Sequence, residues 1–160
     1  MAIVLGISPA TRGIGFAVLT GHKLTDWKMQ SFQQGWSTQK LHSMLEVVKQ
    51  YMKRHQVDAV AIKIPDELPV SKNYIQLVGA LNVLFERQGI KPMYYTLSDL
   101  KQHYCKAGKS NKAILSDCIV YTYPELLPEH RKEQANRNSY YTKIFEAIGA
   151  ARLYHEQLGK

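Results

Sequence analysis

Residues Val4 to Val18 read VLGISPATRGIGFAV, and residues Ala59 to Lys63 read AVAIK. The first stretch is an apolar run from Ala2 to Ser8, a break at Pro9 and Thr11-Arg12-Gly13, and a second apolar run from Ile14 to Leu19. β-Branched residues bounded by proline and glycine are the signature of short strands. Thr20-Gly21-His22 makes a tight turn, and Lys23 to Phe32 continues as a third strand, so the chain opens as a meander of three antiparallel strands. Both quoted runs are strands of the kind that carry a carboxylate at the end, yet one ends on Ser8 and the other on Lys63.

Working outward, Ser37 or Thr38 caps a segment in which Leu41, Met44, Leu45, Val48, Tyr51, Met52 and His55 recur at helical spacing. Val57 to Ile64 is nearly all apolar and reads as a buried strand. Pro65 and Pro69 force a loop, Lys72 to Arg87 reads as a helix ended by Gly89, and Ile90 to Thr96 as a fifth strand. Ser98 is placed to cap a helix starting at Asp99. Gly108-Lys109-Ser110 breaks it, and another helix runs from about Asn111 to Val120. Leu126 to Asn138 is polar, carries Pro128 and reads as a loop. Ser139 caps a last helix to about Gln157. The order β-β-β-α-β-α-β-α-α-α predicts an α/β domain, a mixed five-stranded sheet with helices on both faces. No repeat, low-complexity tract or linker divides it, so residues 1–160 are expected to form one domain.

A chain of 160 residues buries roughly 70% of its unfolded surface. It carries 45% hydrophobic and 21% charged residues, an ordinary balance for a globular protein. No apolar run reaches the length of about 20 residues that spans a bilayer. The start lacks the basic region of a signal peptide. The two cysteines, Cys105 and Cys118, form no CxxC pair, no zinc spacing and no disulfide framework. These features point to a cytoplasmic protein without a membrane partner. The net charge of +8, from 21 basic and 13 acidic residues, favours a polyanionic partner, because phosphate contacts release counterions. A basic protein with no such partner has the same composition.

VLGISPATRGIGFAV resembles the opening of RuvC-type Holliday junction resolvases, in which an apolar strand leads into G-I-D-P-G, a short turn and a glycine-containing second strand. VDAVAIK, residues 57–63, resembles that family's fourth strand, which ends in glutamate. TLSDLK at 96–101, followed by GKSNK at 108–112, resembles the stretch whose basic residues face DNA. KIFEAIGAA at 143–151 resembles the last helix, with its D-x-x-D-A-x-x-x-A pattern. The resemblance runs in order over nearly the whole chain and implies a ribonuclease H-like fold.

For active members the resemblance implies several carboxylates holding two divalent cations about 4 Å apart, which activate water and stabilise the leaving oxygen. Mg²⁺ takes hard oxygen ligands. Matched position by position, Ser8 stands at the first aspartate, Lys63 at the glutamate, Lys143 at the first acid of the last helix and Glu146 at the second. One acid is kept, one is neutral and two are cations. The implied state is a nucleic-acid-binding protein, with branched DNA as its ligand, that does not cut by the family mechanism and takes no metal cofactor. Lys63 and Lys143 are expected to gather around Glu146, with two ammonium groups in the volume of two metal ions.

Lys101, His103, Lys106, Lys109 and Lys112 lie in a stretch with no acid from Lys101 to Ser116. With Arg12 on the strand turn, Lys101, Lys106, Lys109 and Lys112 are the expected phosphate contacts. Tyr104 sits among them and either stacks on a base or packs on the sheet. The resemblance also implies a twofold homodimer, for which the Lys72–Arg87 helix, with Ile75, Val78, Leu81, Val83, Leu84 and Phe85, is the candidate interface. Three alternatives stay open: a Mg²⁺- or Mn²⁺-dependent junction endonuclease using displaced ligands such as Asp66, Glu67 and Glu146, a protein–protein module on the same fold, and an ATP-handling relative.

Overall fold

The computed structural model describes residues 2–67, 70–104, 114–136 and 141–158. The elements are β1 (Ile3–Ala10), β2 (Gly13–Thr20), β3 (Lys23–Ser31), α1 (Thr38–His55), β4 (Ala59–Ile64), α2 (Lys72–Arg87), β5 (Met93–Thr96), α3 (Leu97–Tyr104), α4 (Ile114–Thr122), α5 (Leu127–Asn136) and α6 (Thr142–Leu158). The five strands form one sheet in the order β3-β2-β1-β4-β5. β1, β2 and β3 pair antiparallel, while β4 lies parallel to β1 and β5 parallel to β4. This is the mixed sheet expected, a ribonuclease H-like arrangement.

Side-chain alternation along the strands builds two different faces. Leu5, Ile7, Phe16, Val18, Val60 and Ile62 pack with Met44, Val48 and Tyr51 of α1 and Leu77, Leu81 and Phe85 of α2. The opposite face is lined by small residues, Ala17, Ala59 and Ala61 among them, and receives α6 with Leu100 of α3 and Leu115 and Ile119 of α4. Small side chains let α6 lie close. A Cβ built on Gly6 would stand 1.9 Å from the carbonyl oxygen of Ala147, and one on Gly15 would stand 2.4 Å from that of Lys143. Both glycines are required by the approach of the α6 backbone.

Several boundaries differ from expectation for identifiable reasons. β1 continues through Pro9, which pairs with Ile14 beyond the last β1–β4 pair, Ile7 with Ile62. There the strand has one neighbour, a place where proline is tolerated. β5 begins at Met93, after Pro92. The cap of α3 is Thr96 and not Ser98: Asp99 N donates to Thr96 Oγ1 and Thr96 N to Asp99 Oδ2, a reciprocal capping pair.

The largest correction concerns residues 126–138, expected as a loop. A 3₁₀ turn, Pro124–Leu126, leads into α5. Pro128 sits in the first turn of α5, where its missing N–H is not needed. α5 is polar on every side, so no apolar period announced it. It is held from outside: Glu129 accepts from Trp27 Nε1 at 2.9 Å, His130 meets Asp117 at 2.7 Å, and Glu133 accepts from Thr142 Oγ1.

α2 divides its apolar residues. Leu77, Leu81 and Phe85 are fully buried, whereas Ile75 and Val83 are 57% and 44% exposed. Among the described residues no helix is long and apolar enough to cross a membrane.

Candidate functional site

Strand parity and register assemble the site. Val4, Gly6 and Ser8 on β1 face α6, as do Ala59, Ala61 and Lys63 on β4. The parallel pairing Gly6–Ala61 and Ile7–Ile62 brings Ser8 and Lys63 side by side at the carboxyl ends of both strands. Open α/β sheets bind ligands in the crevice at such ends. Across the hairpin, Ser8 pairs with Gly15, the residue on which the first turn of α6 rests. α6 therefore hangs Lys143 and Glu146, three residues apart on one helix face, directly over Ser8 and Lys63.

Glu146 is the centre. Its Oε1 accepts from Ser8 Oγ at 2.8 Å and lies 3.5 Å from Lys143 Nζ, while its Oε2 lies 3.2 Å from Lys63 Nζ. Ser8 is fully buried, Glu146 is 5% exposed and Lys63 9%, and the Lys143 side chain reaches farther toward solvent at 19%. At an effective dielectric of about 20, each of the two lysine–carboxylate contacts contributes on the order of 4 kcal/mol of attraction before desolvation. Lys143 also stands in the first turn of α6, which holds no acid. A cation there opposes the helix dipole, and Glu146 compensates one turn on. Among these side chains two ammonium groups against one carboxylate leave one formal positive charge, with the Asp66 carboxylate close enough to feel Lys63.

Tyr74, at the start of α2, borders the cluster: burial, and then the charge of Glu146, push its phenol pKa up. Asp66 is engaged elsewhere. Its Oδ1 accepts from the backbone N–H of Ser98 at 2.8 Å. That bond, helped by Lys63, holds its carboxyl below the usual value against the opposing effect of burial.

The residues do not fit a pair of divalent cations. One carboxylate and one hydroxyl are the oxygen donors, and ammonium nitrogens already take both carboxylate oxygens. Among the described residues no three His, Cys, Asp or Glu side chains converge as a metal would require.

Of the expected phosphate contacts, Arg12 on the β1–β2 turn and Lys101 on α3 are exposed. Lys106, Lys109 and Lys112 lie outside the described residues, as do Cys105, Arg137, Ser139 and Tyr140. Tyr104 takes the packing role, its hydroxyl donating to Gly149 O on α6 at 3.1 Å. His103 pairs with Glu156 of α6, which also accepts from Arg152 Nε at 2.7 Å. Cys118 is a free thiol directed at Tyr104 O.

Sequence reasoning missed Tyr74, the seat at Gly15 and the His103–Glu156–Arg152 network. The alternation of glycine and alanine on β1, β2 and β4 was the available signal for the seat. It also missed Lys40 of α1, which is 4% exposed and for which nothing in the helical spacing singles out burial.

A mixed sheet with an acid-bearing helix laid across the ends of its first and fourth strands defines a ribonuclease H-like protein of the resolvase type. The sequence model of crossover junction endodeoxyribonuclease RuvC matches residues 4–122, and the chain belongs to that family. RuvC of Thermus thermophilus in complex with a Holliday junction substrate superposes with a TM-score of 0.75 at 18% identity, covering 99% of this chain and 97% of that one. The yeast mitochondrial Holliday junction resolvase gives 0.63 at 7% identity, over 96% and 78% of the two chains. The fowlpox virus resolvase with Holliday junction DNA gives 0.59 at 14% identity, over 97% and 99%. No curated protein sequence matches the chain significantly.

Proposed function

We propose that this protein binds branched DNA on the resolvase scaffold and does not cut it by the two-metal mechanism. The observation that carries this reading is the occupation of both Glu146 oxygens by Ser8, Lys63 and Lys143. Two-metal hydrolysis needs anionic oxygen ligands to hold the cations that clamp the attacking and leaving oxygens. Here lysines stand in their place, and the formal charge they leave is positive. Such a centre attracts a phosphate without hydrolysing it. The surrounding phosphate contacts are Arg12 and Lys101, with Lys106, Lys109 and Lys112 on the acid-free stretch that follows. Support for DNA as the ligand comes from family membership and from relatives whose structures hold Holliday junctions.

The protein acts as a homodimer in this reading, with the exposed Ile75 and Val83 of α2 buried against a second copy. A nuclease with displaced ligands is disfavoured by Asp66, whose carboxylate is committed to the start of α3.

A labelled four-way junction, with linear duplex as competitor, tests the function in Mn²⁺ and again in EDTA, read on native and denaturing gels. The expected result is a shifted, intact junction in both buffers, with affinity falling steeply as salt rises. Cleavage confined to Mn²⁺ would establish a working carboxylate set and overturn the proposal. An unshifted junction at low salt would remove DNA as the ligand.

A further inference from the structure

A second site lies a short way along the chain from Ser8. Thr11 and Arg12 of the β1–β2 turn, the β3–α1 connection with Gln34 and Trp36, Lys40 of α1 and Asn73 of α2 enclose a cavity of about 500 Å³. The connection is fastened in place: Phe32 N donates to Arg12 O at 2.9 Å, and Trp36 Nε1 donates to Gln76 Oε1 on α2 at 3.1 Å.

Lys40 is the unusual residue. It is 4% exposed, and lysines this covered are nearly always paired with an acid. Its Nζ donates to Gln34 O at 2.8 Å and stands 5.9 Å from the Trp36 ring centre. Among the described residues no carboxylate reaches it or Arg12, and the segments outside them contain no Asp or Glu. Burial, with the Arg12 charge second, lowers the Lys40 pKa. Two cations share a cavity that contains no anion. Their other neighbours are hydroxyl and amide groups able to hydrogen-bond an oxyanion, and a half-buried indole.

We infer that this cavity takes a phosphodiester of a bound nucleic-acid strand, with Arg12 and Lys40 on the phosphate and Trp36 stacking on the adjoining base. Arginine forks onto phosphate oxygens, and an indole gives a base a sequence-tolerant platform. Arg12 follows Ser8 by four positions, so chain geometry keeps their Cα atoms within ~14 Å. One strand therefore reaches both. The inference rests on the DNA-binding reading above, which already includes Arg12, and adds Lys40 and Trp36, which that reading leaves out.

The experiment measures junction affinity across a salt series for the wild type, Arg12→Gln, Lys40→Met and Lys23→Gln. The last removes an exposed lysine remote from the cavity. Melting temperatures are taken in parallel, and Trp36 emission is followed in a Trp27→Phe background, where it is the remaining tryptophan. Arg12→Gln and Lys40→Met should each lower affinity about tenfold and flatten the log–log salt slope by about 1. Lys40→Met should melt no lower than the wild type, since methionine fills the space without a charge to desolvate. Junction, but not millimolar inorganic phosphate alone, should quench Trp36.

If the junction binds but Lys40→Met behaves like Lys23→Gln and Trp36 emission is unmoved, the cavity is not a strand contact, and the DNA-binding reading stands without it. A loss of affinity that merely follows a lower melting temperature would assign Lys40 a structural role. Equal quenching by phosphate alone would make the site one for free anions. Failure of the wild type to bind the junction overturns both readings.

Discussion

Glu146 serves one hydroxyl and two ammonium groups with a single carboxylate, at a place almost closed to water. Glu146→Gln keeps the shape but leaves two buried cations facing each other. Removing one partner of a buried ion pair costs about 3–5 kcal/mol, and the partial exposure of Lys143 puts the expectation near the lower end, ~3 kcal/mol. The shift is read from the urea midpoint at constant m-value. An unchanged midpoint would mean that the lysines need no anion. The second titrating cluster has a different signature. Burial pushes the Glu156 carboxyl up, but the hydrogen bond from His103 and the charges of Arg152 and His103 outweigh it, so its pKa is depressed. A depressed carboxyl contributes stability that is complete above the unfolded value of about 4.3 and is lost as pH falls through the folded value. The melting temperature of the wild type should therefore drop more steeply below about pH 4 than that of Glu156→Gln. Parallel acid limbs would show that the network carries no net linkage.

At the scale of elements, the contact that matters is α6 on β1 and β2. Gly15→Ala places a methyl group against the Lys143 carbonyl, where rigid backbone would stand 2.4 Å away. α6 must lift, at a cost of about 1–3 kcal/mol, carrying Lys143 and Glu146 away from Ser8 and Lys63. Denaturation measures the cost. A higher exchange rate of the amides in the first turns of α6 would show the displacement, and an unchanged variant would mean that the helix is not seated on this glycine. The same contact explains what the sequence made legible. Apolar, β-branched runs announced β1 and β4, and strand parity with the β1–β4 register puts Ser8 and Lys63 on one face. The convergence of Lys63 and Lys143 on Glu146 follows once α6 crosses that face, and it was expected from the matched motifs. α5 was not legible, because its order comes from bonds to Trp27, Asp117 and Thr142 that its own composition does not encode. Nor was Lys40, which is buried by the β3–α1 connection folding back onto the helix it precedes.

For the whole molecule, the proposed dimer rests on the apolar stripe of α2. Leu77, Leu81 and Phe85 are consumed by the core, so the expected interface reduces to Ile75 and Val83 with their half-buried neighbours Val78 and Leu84. Val83→Asp should convert a dimer to a monomer in light scattering with little change in monomer stability, since the position is 44% exposed. A wild type that is monomeric at tens of micromolar would remove α2 as an interface. Monomeric Val83→Asp should still shift a four-way junction, more weakly, because each copy retains its own basic surface and loses the gain from joint engagement.

The hydrogen bond from Ser8 to Glu146 closes a loop of 138 residues. Closing so long a loop is slow, because its entropy is lost before the contact repays it. The hairpin and α1 have what they need to associate early, whereas the glycine-and-alanine face waits for α6. While it waits, Val4, Leu19, Leu24 and Tyr95 on that face stay uncovered beside the glycines and alanines. The separation of Ser8 and Glu146 predicts that this centre assembles late in folding, and a polyanion spanning strand and helix there would bind the finished fold alone. By mass action such a ligand would raise the melting temperature and slow the detachment of α6 before any other part of the chain loosened.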